Sequence, residues 1–125
     1  MGQEYRTTKY RLPDSIYSRE PDMEKQYGID ELKLYGYAES EDSYHIVGEI
    51  IAKKTPSTSF CIICTIYDED DDIIETTESR SYGSGLVTSM IEPSSFFNGF
   101  PFIFDIWGVP RKKIKEIRIA PASSY

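Results

Sequence analysis

The stretch "SFCIICTIYDEDDDII" (residues 59–74) sets Cys61 and Cys64 in a Cys-x-x-Cys spacing just ahead of five consecutive acids. Such a thiol pair holds zinc or does dithiol chemistry when a tight turn lets both sulfurs converge. Here the spacer is Ile62-Ile63, flanked by Phe60, Thr65 and Ile66, residue types that favour extended backbone. In a strand, positions three apart face opposite ways with Cα atoms roughly 10 Å apart, and a disulfide needs a separation below about 7 Å. A zinc site would also need two further ligands, and the chain offers a single histidine. Cys61 and Cys64 are therefore expected to be buried free thiols that behave as small hydrophobes.

Asp68, Asp70 and Asp72 alternate as at the start of an EF-hand loop. The remainder of that loop fails, because Ile73 stands where a sharp-turn glycine belongs and no helix flanks it. A looser calcium site at a sandwich rim is the chemical alternative to a charged, solvated hairpin turn that discourages edge pairing. His45 has no nucleophile-elbow pattern beside it, and "YGSG" (residues 82–85) lacks the Lys-Ser/Thr tail of a phosphate loop. No catalytic residue and no cofactor is expected, and the protein is read as not an enzyme.

Phe100, Phe102 and Phe104 recur at period two and read as core. Alternation turns Ile103 and Trp107 away from that face, so Phe97, Ile103 and Trp107 are the candidate partner-binding residues. The basic run from Arg111 to Arg118 reads as a lysine-guarded edge rather than an anion-binding strip.

These residues need a scaffold, and its pattern is β. From Asp30 onward, short alternating segments are separated by turn residues every 8 to 12 positions. "ELKLYGYA" puts Leu32, Leu34, Gly36 and Ala38 on one face, and "YHIVGEIIAK" follows the acidic "ESEDS" turn. "FCIICTIYD" is apolar on both faces, as a central strand would be. "IIETTESR", "LVTSMIE", "FPFIFDIWG" and "KKIKEIRIA" complete about seven strands, with Pro101 confined to an edge or bulge. This predicts an all-β, antiparallel sandwich, with a small barrel as the competing arrangement. Residues 1–28, charged and broken by Pro13 and Pro21, are expected to form a partly ordered arm with one helical turn near Asp22–Tyr27, ahead of a domain over 29–125. Because strand 60–67 is apolar on both faces, its second face should be covered by the arm or by another subunit.

At 125 residues the chain is one domain, large enough for a single core. Its net charge of −7 argues against nucleic acid as a partner, and no apolar run is long enough to span a membrane. Met1 leads into a polar segment, so no signal peptide is expected in this chain. A protein partner, or a second copy of the chain, is the expected ligand, with a small molecule or glycan stacked on Trp107 as the alternative.

The segment "YHIVGEIIAKKTPSTSFCIICTIYDEDDDIIETTES" resembles the FxLYD-domain family of bacterial sandwich modules. Val47-Gly48-Glu49-Ile50 matches that family's first strand, and Cys64-Thr65-Ile66-Tyr67-Asp68 stands where its namesake Phe-x-Leu-Tyr-Asp would be, with Cys64 in the aromatic position. "FPFIFDI" and "KIKEIRI" look like the last two strands, so the resemblance spans roughly Leu32 to Ala120. It implies an immunoglobulin-like sandwich, an interaction or structural role in a bacterial envelope or surface protein, and no catalytic residues. It also implies that Gly48 permits close approach of the facing sheet, that Tyr67 packs at its strand end, and that Asp68 opens the turn.

Overall fold

The computed structural model describes residues 10–79, 81–83, 86–88 and 90–123. Two four-stranded sheets face each other. The first has strand order β1 (Tyr10–Arg11), β3 (Glu31–Ser40), β4 (Ser43–Ile51), β9 (Phe100–Trp107). The second has the order β2 (Tyr17–Arg19), β10 (Glu116–Ala122), β5 (Cys61–Tyr67), β6 (Ile73–Glu78). A separate ribbon pairs β7 (Ser81–Gly83) with β8 (Leu86–Thr88). The fold is an all-β sandwich, and all seven segments expected to be strands contain one. One pairing departs from the antiparallel expectation: β2 runs parallel to β10, with Tyr17 opposite Ile117. Hairpin alternation could not foresee it, because β2 arrives from the N-terminal segment rather than through a tight turn.

The period-two pattern sorts the side chains as expected. Leu32 and Ala38 of β3, Tyr44, Ile46 and Ile50 of β4, and Phe102, Phe104 and Ile106 of β9 meet Ile62, Cys64, Ile66, Ile117 and Ile119 from the second sheet in one core. Strand β9 is an edge of its sheet, which places Pro101 where a missing N–H is tolerated.

Residues 10–28 are built into both sheets. Strand β1 pairs with β3, β2 pairs with β10, and Leu12 and Ile16 lie in the core. A short helix, α1 (Pro21–Gln26), follows, with proline in its first turn and Gly28 at φ +78° after its C-cap. Arg118 reaches from the outer face of β10 to Glu20 Oε2 (3.1 Å) and Met23 Sδ (3.6 Å). This lays the start of α1 over the outer face of the second sheet, the face that carries Cys61 and Thr65 of β5, both buried.

Two glycines mark close contacts. A Cβ at Gly36 would overlap the hydroxyl of Tyr17, whose ring crosses from the second sheet. A Cβ at Gly48 would overlap the ring of Phe102, its cross-strand neighbour on β9. The close approach at Gly48 thus comes from an adjacent strand of the same sheet, with an aromatic ring shielding the bare backbone, and not from the facing sheet.

Candidate functional site

Cys61 and Cys64 are buried free thiols on opposite faces of β5. Burial pushes the Cys64 thiol up to about 12, with the Glu75 carboxylate adding to the effect, and burial raises Cys61 as well. The thiolate that a nucleophile or metal ligand requires is thus disfavoured at both positions.

The acidic segment is the β5–β6 turn. The Asp68 side chain caps it, with Oδ1 accepting the amides of Asp70 (2.9 Å) and Asp72 (3.0 Å), while the Asp71 amide bonds the Asp68 carbonyl (3.0 Å). Asp71 takes the left-handed conformation, φ 62°, and its carboxylate meets Lys115 Nζ at 2.7 Å. One ligand atom each from Asp68, Asp70 and Asp72 lies within 4.8 Å of the others. The Asx turn accounts for this convergence, and it already engages Asp68 Oδ1.

The candidate partner residues separate. Ile103 and Trp107 lie on the outer face of the first sheet, whereas Phe97 packs at a tilt against Phe100 (centroids 5.1 Å) at the other end of β9 from Trp107. The outer face itself is unusual. Antiparallel sheets commonly turn a polar face to water. Here Tyr35 is 47% exposed and Trp107 64%. Rings form a continuous row: Tyr35 to Tyr37 at 6.0 Å, Tyr37 to His45 at 5.3 Å and His45 to Trp107 at 6.2 Å. Val47 and Ile103 occupy the same cross-strand rung as Tyr35. Beside them, Leu34, Tyr35, Tyr37, Val47 and the Gly48 backbone line an apolar cleft of about 330 Å³, rimmed by Lys33 and Glu49.

Local structure holds the row in place. His45 is clamped between carboxylates, Nδ1 at 2.5 Å from Asp105 Oδ1 and Nε2 at 3.4 Å from Glu39 Oε2. Trp107 precedes a turn at Gly108, φ +75°, whose amide bonds the Asp42 carbonyl at 2.9 Å. The Tyr44 hydroxyl, donating to the Val109 carbonyl at 2.6 Å, fastens the same turn from the core. His45 and its two carboxylates buttress the rings, and among the described residues its side-chain partners are Asp105 and Glu39.

The sequence pattern singles out Phe97, Ile103 and Trp107 but not Tyr35, Tyr37, Val47 or the His45 clamp. The signal was present in the alternation, because an inward Leu32–Gly36–Ala38 set turns Tyr35 and Tyr37 outward. Only the register, which brings three strands side by side, turns them into one surface. No known family model, curated protein or solved structure matches the chain. The FxLYD resemblance therefore rests on its own residues.

Proposed function

We propose that the protein is a non-enzymatic interaction module whose working surface is the outer face of the first sheet. The observation that carries this reading is the exposed row from Tyr35 to Trp107 on a face where solvent favours polar side chains. Aromatic residues with an arginine nearby are the composition of protein contact centres, and Arg11 already lies over the Tyr35 ring at 5.1 Å. The apolar cleft beside Tyr35 offers an apolar side chain of a partner a place to dock. A role in a bacterial envelope follows from the FxLYD resemblance alone, and fractionation of the native host tests it independently.

The direct test compares the wild-type chain with Tyr35→Ser/Trp107→Ser, both immobilised and exposed to host extract. A protein retained by the wild type and lost from a variant with unchanged melting supports the reading. Equal retention by both overturns it.

A further inference from the structure

We infer that the outer face of the first sheet pairs with the same face of a second copy of this chain, through a two-fold axis parallel to the strands and midway between β3 and β4. The inference rests on the proposed function and names one occupant for its surface. Its basis is the order of charges across the sheet. Such an axis exchanges β3 with β4 and β1 with β9 while keeping each residue at its own height along the strands.

Lys33 stands directly opposite Glu49 in the β3–β4 register, so in the pair each Lys33 faces the other copy's Glu49. The rung Arg11–Tyr37–His45–Asp105 runs across all four strands, with the Arg11 guanidinium, paired to Asp14, at one edge and the Asp105 carboxylate, bonded through Oδ1 to His45, at the other. The same axis therefore sets Arg11 over Asp105, and Tyr37 over His45. Between these charged rungs, Tyr35 meets Val47, with Ile103 extending the apolar strip. Lys33 thus meets Glu49, Arg11 faces Asp105, and Tyr35 meets Val47 across the axis. An isologous contact requires this kind of self-complementarity.

Two twisted sheets pack face to face with aligned strands at about 10 Å separation, which is the arrangement this axis produces. Strands about 4.8 Å apart and roughly 30 Å long give a footprint on the order of 500 Å² per copy, below the ~800 Å² of a standard interface. The pair should be reversible and concentration-dependent, and its charged rim should make it weaken as salt rises.

Sedimentation velocity of the intact chain, from low micromolar to near-millimolar concentration, tests the inference. The expected result is a mass rising from 14.4 kDa toward that of a dimer. Lys33→Glu or Glu49→Lys alone should weaken association by about tenfold, because symmetry places each substitution in the contact twice. Lys33→Glu/Glu49→Lys together should restore it, since the reversed charges again meet across the axis. Both residues are exposed, and unchanged circular dichroism melting confirms that each variant folds. A chain that stays monomeric throughout, or a double variant as weak as either single one, overturns the inference. If a monomeric chain still retains a host protein in a Tyr35- and Trp107-dependent way, self-pairing is overturned while the proposed function stands.

Discussion

Tyr17 and Gly36 make a quantitative test of how the two sheets are coupled. The Tyr17 ring packs against the core, and its hydroxyl is buried against Gly36 without a hydrogen-bond partner among the described residues. Burial, with the Asp14 carboxylate adding to it, pushes the phenol up to about 12. Tyr17→Phe removes a buried unsatisfied group, whose retention costs ~1–3 kcal/mol, at the expense of a small void. The net effect at neutral pH should be a gain of about 0–1 kcal/mol. Gly36→Ala places a methyl where the hydroxyl sits and near Leu12 Cδ1 (3.1 Å) and Ile46 Cγ1 (3.3 Å). That overpacking should cost ~1–3 kcal/mol. In the Tyr17→Phe background the oxygen is gone, so the penalty should shrink, leaving a coupling of about 1–2 kcal/mol.

The pH dependence has a definite sign. The folded phenol holds its proton more tightly than the unfolded one, so its contribution is complete below the unfolded value of 10.0 and is lost as pH rises through about 12. Wild-type stability should fall over that window from this group, and Tyr17→Phe should remove that part of the fall. Urea titrations followed by circular dichroism are the assay, because Trp107 is too exposed to report core packing. A Gly36→Ala penalty equal in both backgrounds would refute the contact.

Four further outcomes are expected. Glu24 is buried and bound by Arg19 through two bonds of 3.1 and 2.7 Å. Arg19→Met should therefore cost ~2–4 kcal/mol, whereas Arg19→Met/Glu24→Leu should recover most of it in denaturant titrations. Asp68→Ala, which removes the acceptor of two turn amides, should cost ~1–2 kcal/mol while Asp70→Ala stays within about 0.5. Millimolar calcium should leave the wild-type melting temperature within about one degree, and a chelator-reversible rise of several degrees would instead reveal a cation site at the turn. Cys64 should resist a thiol reagent at pH 8 in the folded protein and react at the rate of unfolding; prompt native labelling of Cys64 would contradict its depth in the core.

The alternation from Leu32 to Ile119 was enough to reveal the strands and their inward faces, because a side-chain period of two leaves an amphipathic strand only one way to bury its apolar half. The extended preference of Phe60–Ile66 likewise settled that Cys61 and Cys64 could not converge, and the aspartates of 68–72 announced a turn. These are properties of short segments, decided by neighbours in the chain. The parallel pairing of β2 with β10, the entry of Leu12 and Ile16 into the core, and the contact of Tyr17 with Gly36 were not legible, since each joins residues far apart in sequence. The same holds for the row from Tyr35 to Trp107. Its members lie on three strands, and only Tyr35 and Trp107 are exposed while Tyr37 and His45 are half-buried. They become a surface only because the ladder sets β3, β4 and β9 about 4.8 Å apart in one register.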